Sequence, residues 1–282
     1  MAFTEPPSTT RVYDASHRIP PVKPYLAETF THLQFAYEKA RLDLKAAHRD
    51  TWFGRLWNIL NPMLLGLVYW LLVVVIFKGG GDSPMRVLAQ ILGGLFLFSL
   101  PSGALSLGAR SIVGGGTFVL NTRIPRLILP IGALISATLN FLPSLGVYAI
   151  IHVIAGFPIG LQLLWVVPIV ILLGVISLGL AMAFATLNVY FRDVASFLPY
   201  VTRIWMYLTP IIYLYTFIPE RFRWGIVANP IGGVFTSWQQ VAIEGTTPSV
   251  EFIGSAAVWA LVLLAGGFYL FLRREREFAV RI

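Results

Sequence analysis

Six apolar runs alternate along the chain with short stretches that hold nearly all of its Lys, Arg, Asp and Glu. They extend from Trp57 to Phe77, Val87 to Leu107, Leu127 to Ile154, Leu163 to Leu187, Phe197 to Phe217 and Ser255 to Leu272, and none contains a carboxylate. Helical runs of roughly 17 to 25 apolar residues cross a hydrocarbon core of about 30 Å. The pattern therefore predicts an all-α integral membrane protein with six transmembrane helices between residues 52 and 272. Its pivot is Asn121-Thr122-Arg123-Ile124-Pro125-Arg126, the end of a short loop over residues 110–126. Arg123 and Arg126 there mark the inner membrane surface.

Outside the spans the pattern changes. Residues 1–24 are rich in Pro and small polar residues, lack the apolar segment of a secretion signal and read as a disordered cytoplasmic tail. Over residues 25–51, Leu26, Phe30, Leu33, Tyr37, Ala40, Leu44 and Ala47 recur by threes and fours between charged residues. That spacing predicts an amphipathic helix, lying in the headgroup region or contacting a partner. Residues 219–251 keep apolar pieces too short to span, around Asn229-Pro230. Two short helices dipping back into the membrane fit them, with Trp224 and Trp238 at the interface. Residues 273–282 form a charged cytoplasmic tail.

Composition agrees with the pattern. The 282-residue chain is 57% hydrophobic and 12% charged, with mean hydropathy +0.75. The net charge of +8 is not a nucleic-acid signature here. With six spans and both termini inside, seventeen of the 21 Lys and Arg fall on the inner side, and only Lys78, Arg86, Arg221 and Arg223 fall outside. This is the bias of a cytoplasmic-membrane protein. There is no Cys, and the four His show no i,i+4 pairing, so neither a thiolate nor a one-helix metal site is expected.

The candidate chemistry is not catalytic. No paired acid and base appears at either membrane surface. The spans lack the buried acids that ion-coupled carriers use, and the chain has no Gly-rich phosphate loop ending in Lys. If the chain moves something uphill, a separate subunit must supply the energy. Tyr69, Trp70 and Tyr207 lie too deep in their spans for an interfacial belt, and with Tyr213 they either line a path for sugar rings or pack in the core. Lys45, Arg49 and Arg55 lead from the amphipathic helix into the first span. They are candidates for gripping a lipid diphosphate or for simple attraction to anionic lipid.

A resemblance joins these pieces. Gly54-Arg55-Leu56-Trp57 with Pro62, Asn121 with Pro125-Arg126 and Pro130, Asn188 with Arg192-Asp193, Trp205 with Thr209-Pro210-Ile211-Ile212-Tyr213, Asn229-Pro230, and Glu277-Phe278-Ala279 follow one another along nearly the whole chain. In that order they resemble the transmembrane subunit of ATP-binding-cassette exporters of lipid-linked polysaccharides, the class serving O-antigen, teichoic acid and cell-wall galactan. Two departures are a longer Pro-rich N-terminal tail and Val280, where that class usually has an acid. The resemblance implies a homodimer carrying two copies of a separate ATPase subunit, which holds the ATP and Mg, with no cofactor in this chain. It implies that the loop bearing Phe118, Leu120, Asn121, Arg123 and Arg126 couples to the ATPase. The region of Trp224, Asn229, Pro230 and Trp238 then becomes an outer gate, and the cargo a polyprenyl-diphosphate-linked glycan such as a galactan precursor. The alternatives are an exporter of drugs or small lipids and a scaffold for glycan synthesis.

The charge bias generates the first prediction. Single Cys residues introduced at Asp82 or Gly245 should react with a membrane-impermeant reagent added outside, and those at Ser16 or Thr122 only from inside. External labelling at Thr122 would rule out six spans with inner termini.

Overall fold

A computed structural model describes residues 21–47, 52–76, 83–116, 122 and 124–281. Regular structure among them is entirely helical. The helices are α1 (Val22–Thr31), α2 (Leu33–Ala47), α3 (Trp57–Trp70, continued by a π-helical turn Leu71–Ile76), α4 (Pro84–Gly114), α5 (Ile128–Ile154) and α6 (Val166–Tyr190). They are followed by α7 (Val194–Leu208), α8 (Trp224–Ala228), α9 (Gly232–Gln239, continued by a π-helical turn Gln240–Glu244), α10 (Val250–Arg274) and α11 (Phe278–Arg281).

Five of these are long and apolar enough to cross a membrane: α3, α4, α5, α6 and α10, each with its continuation. The predicted fifth span, Phe197 to Phe217, is not one helix. It stops at Leu208, because Pro210 has no N–H and pushes the residue before it out of the helical region. Thr209 is extended at φ −101°, ψ 142°. At 1.5 Å per residue, α7 is roughly 22 Å long, shorter than the hydrocarbon core. The chain continues irregularly through 3₁₀ turns at Tyr215–Phe217 and Glu220–Phe222.

The helix α4 is the axis of the bundle. Its apolar stretch is 72% buried, against 6% for the first span, and both α5 and α6 pack along it while α10 packs on α6. Small residues set these distances. A Cβ on Gly267 of α10 would stand 2.1 Å from the carbonyl oxygen of Gly179 in α6, and one on Gly108 of α4 would meet Ala181 of α6 at 2.6 Å. Close backbone approach through small residues is how helices associate where no hydrophobic drive exists between them.

Two ends are defined by long-range bonds. At one, the Arg86 guanidinium donates to the carbonyls of Ala155 and Gly156, and Gly245 packs on Pro158. At the other lie α1, α2, residues 124–127, the turn after Tyr190, and α11. The amphipathic segment is two helices, broken at His32, and the first begins at Val22, inside the expected tail. Ala36, Ala40 and Leu44 form the buried face of α2, with Ala36 opposite Gly132 of α5. Phe30 and Tyr37, expected on that face, are 66% and 42% exposed, since a contact against glycine admits only a small side chain.

Between α7 and α10 the chain forms a re-entrant hairpin. Trp259, nine residues into α10, donates from Nε1 to the carbonyl of Val227 at 2.8 Å, so α8 lies about 13 Å below the start of α10. The helix α9 then climbs back, and Glu244 accepts from the Tyr215 hydroxyl at 3.3 Å. Two short helices, α8 and α9, stand in the segment where the sequence suggests two, but Trp238 is not at a surface. It is 3% exposed and packs at a tilt against Tyr148, ring centroids 5.1 Å apart, because α9 is buried on every side within the bundle. Trp224 is 69% exposed.

Irregular backbone at this depth needs partners from the protein. Gln239, 3% exposed, supplies three: Nε2 donates to the carbonyls of Pro210 (2.7 Å) and Tyr213 (3.0 Å), and Oε1 accepts from the Tyr215 N–H (2.9 Å). Replacing Gln239 with Leu should therefore destabilise the chain by roughly 3 kcal/mol or more, at about 1–3 kcal/mol for each group left unpaired. Thermal unfolding in detergent measures this. A variant that melts with the parent chain would show that water satisfies these groups instead.

Candidate functional site

The break in α7 and the loose packing of α3 together leave a cavity of about 690 Å³ between α3, α4 and α7. Each wall is one helical face. Pro62, Leu65 and Tyr69 come from α3, Phe98, Ser99 and Ser102 from α4, and Thr202, Arg203, Met206 and Tyr207 from α7, at spacings of one, three or four residues that keep each set on one side of its helix. Across the top the Tyr69 and Tyr207 hydroxyls meet at 2.8 Å, with their rings edge to face at 6.2 Å. Tyr213 joins them by donating to the Tyr207 carbonyl at 3.1 Å. Trp70 turns elsewhere: its Nε1 donates to the Pro84 carbonyl at 2.8 Å.

The Ser99, Ser102 and Thr202 hydroxyls donate back to carbonyls of their own helices. That leaves the phenol rings, the Asn61 amide and one cation to address a ligand. Arg203 makes no ion pair among the described residues. The residue counts toward the inner-side charge bias in the sequence, and its role in a cavity wall was missed there. The signal was its position six residues into an apolar run, where a charge is expensive and marks a path by default.

The wall of this cavity is fastened to the hairpin. Phe98 stands edge-on to Trp205 at 6.2 Å and to Phe235 at 6.3 Å. The Trp205 Nε1 donates to Asn229 Oδ1 at 2.8 Å, Asn229 Nδ2 donates to Thr209 Oγ1 at 2.9 Å, and Thr209 Oγ1 donates to the Trp205 carbonyl at 2.8 Å. This closed ring of bonds explains why Trp205, Thr209 and Asn229-Pro230 appear together: they hold the bottom of the hairpin against the broken end of α7.

At the opposite end, Arg126 lies in a second cluster. Its backbone N–H donates to Glu275 Oε1 at 2.9 Å, and its guanidinium donates to the Glu275 carbonyl. The Leu127 N–H points to the Tyr25 hydroxyl at 3.4 Å. Burial, with the Glu275 carboxylate beside it, pushes the Tyr25 phenol far up, so it stays protonated. The next acid, Glu277, accepts from Tyr190 and Arg274. Arg281 lies 4.3 Å over the Tyr190 ring, while Val280 is 89% exposed. The other candidate coupling residues, Phe118, Leu120, Asn121 and Arg123, lie outside the described residues, as do Arg49 and the side chain of Arg55. Lys45 is exposed on α2.

Comparison with known proteins places this geometry. A family profile described as "ABC-2 type transporter" matches residues 40–241, more than half of the chain. An O-antigen export system permease protein of Klebsiella pneumoniae is 28% identical over 238 residues, covering 84% of this chain and 90% of that protein. A protein of the same description from Myxococcus xanthus is 30% identical over 247 residues, covering 85% and 92%.

Proposed function

The chain belongs to the ABC-2 type transporter membrane family, and from that premise we propose that it is the transmembrane subunit of an exporter that moves a polyprenyl-diphosphate-linked polysaccharide outward across the cytoplasmic membrane. It works as a homodimer with two copies of an ATPase subunit, which bind ATP and Mg. A galactan or O-antigen precursor is the narrower form of the cargo. The observation that carries the reading is the cavity that Tyr69, Tyr207 and Arg203 share. The described relatives, named as permeases of O-antigen export, support the same cargo class.

The chemistry fits a glycan. A sugar ring offers an apolar face to a phenol ring and hydroxyls to guanidinium and phenol donors. Such contacts are individually weak, at about 0.5–1.5 kcal/mol per ring beyond burial, which lets a long chain slide and not lodge. α3 and α7 carry broad exposed aliphatic faces, Leu64, Leu67 and Val68 on one and Val201, Ile204 and Leu208 on the other. A second copy facing these helices would turn two open cavities into one passage. Movement would come from the loop before Arg126, with Phe118 or Leu120 seated in a groove of the ATPase and Asn121 and Arg123 bonded to its surface. Coupling of this kind needs a packed contact with two arrangements.

Two outcomes follow in proteoliposomes holding the chain and its ATPase. Replacing Tyr69 and Tyr207 together with Leu should slow glycan export several-fold while leaving insertion and thermal stability intact, and normal export by the pair would assign these rings to packing. Phe118→Ala combined with Arg123→Ala should leave the chain inserted and dimeric, yet weaken ATPase binding and abolish glycan-stimulated ATP hydrolysis. A double variant that binds its ATPase and exports normally would move the coupling contact elsewhere. ATP hydrolysis indifferent to the glycan would instead fit a scaffold.

A further inference from the structure

A second cavity, of about 450 Å³, lies between α2, α4, α5 and the first turn of α3. Export by the route above does not use it. Small residues keep it open: Ala40 and Ala47 on α2, Gly114 on α4, Gly132 and Ala133 on α5. Along α5 it follows a single face, Leu129, Gly132, Ser136 and Asn140, a distance of about 16 Å at the helical rise. The cavity is thus long, narrow and mostly apolar.

Its polar groups are unevenly matched. Asn58 Nδ2 donates to Asn140 Oδ1 at 2.6 Å at the far end. Lys39 and Asp43 pair at 2.6 Å and cancel. Arg110 is exposed, lines the cavity and makes no ion pair among the described residues. Gly103 stands opposite Ala137, with a Cβ there 3.5 Å away. Since α4 and α5 run antiparallel, this register brings Arg110 level with the Leu129 end, where α2 lies. Ser136 is 7% exposed, lines the cavity, and its hydroxyl makes no hydrogen bond among the described residues. Its neighbours Thr138 and Ser111 both donate back to their own helices. The Ser136 oxygen is reachable from the cavity and has no partner among the described residues, so it is free to bond whatever occupies the space.

We propose that this cavity holds a lipid-borne phosphate, gripped by Arg110, with the Ser136 hydroxyl donating to an oxygen of the same molecule and its chain lying along Gly132 and Ala133. A guanidinium offers two parallel donors to phosphate oxygens, and the Lys39–Asp43 pair leaves Arg110 to set the sign of the site. The head group of a membrane phospholipid and the diphosphate of a polyprenyl carrier share this chemistry. The position differs from the basic run of Lys45, Arg49 and Arg55 that the sequence points to: Lys45 does not line the cavity.

The test is binding to the purified full-length chain in detergent, with dioctanoyl phosphatidylglycerol, farnesyl diphosphate and inorganic phosphate as separate probes. Neither ATPase nor export is needed, so the result stands apart from the transport reading. Arg110→Ala should weaken both lipid probes about tenfold or more, the effect of losing a hydrogen bond to a charged group, and Arg110→Lys should weaken them less. Ser136→Leu, which fills the cavity and keeps the charge, should also weaken both, and inorganic phosphate should bind far more loosely than either. Tighter binding of farnesyl diphosphate assigns the site to the carrier, and binding of phosphatidylglycerol as tight or tighter assigns it to a resident phospholipid. Lipid affinities unchanged in both Arg110→Ala and Ser136→Leu would overturn the proposal, as would inorganic phosphate binding as tightly as the lipids.

Discussion

Backbone that leaves helical geometry inside a membrane protein must find its hydrogen bonds within the protein, and this constraint governs the whole segment from Thr209 to Ser249. Three side-chain amides answer it. Asn229 joins α7 to the bottom of the hairpin, Gln239 caps the irregular strand of chain after Pro210, and Gln240 accepts from the Ser249 N–H at 2.9 Å where α10 begins. Without them the chain could neither break α7 nor bury α9 among its neighbours. The cavity beside α7 exists because the break is affordable.

The same bundle is tight in one half and open in the other. α4, α6 and α10 meet so closely at Gly108, Gly179 and Gly267 that a side chain there would overlap its neighbour, and α5 rests on α4 with Ala137 against Gly103. α3 and α7 carry Leu, Val, Ile and aromatic residues with little of their surface covered. A rigid half beside a loosely attached half is the arrangement in which one element can shift relative to another without loss of the core. Polar contacts that hold α3 to the tight half sit at its two ends: Trp70 Nε1 on the Pro84 carbonyl and the Asn58–Asn140 pair near its start.

Five spans, the amphipathic segment and the hairpin were legible in the sequence because each rests on one dominant signal, an apolar run or a period of three to four. What was not legible depends on partners distant in the chain. Hydropathy runs unbroken through Thr209-Pro210, so the fifth span read as continuous although the proline carried the break. Trp238 read as interfacial by residue type, but its place is set by Tyr148, ninety residues earlier. Ala36 gave no signal as a contact residue, since only the glycine opposite makes an alanine the right size. Arg203 was visible and was absorbed into a count of charges, when its depth was the informative property.

The cluster of Tyr25, Arg126 and Glu275 bears on how the molecule is made. The Arg126–Glu275 contact spans 149 residues and the Leu127–Tyr25 contact 102, so the loop that precedes α5 depends on groups far from it in both directions along the chain. During synthesis the early spans can be inserted while Arg126 still lacks its acceptor, and closing so long a loop carries its own entropic cost. Glu275 is synthesised 149 residues after Arg126. Completion of this end of the bundle thus waits for Glu275, and a product cut short before it would present Arg126 and the Leu127 end of α5 as an unfinished surface to the quality-control machinery of the cell.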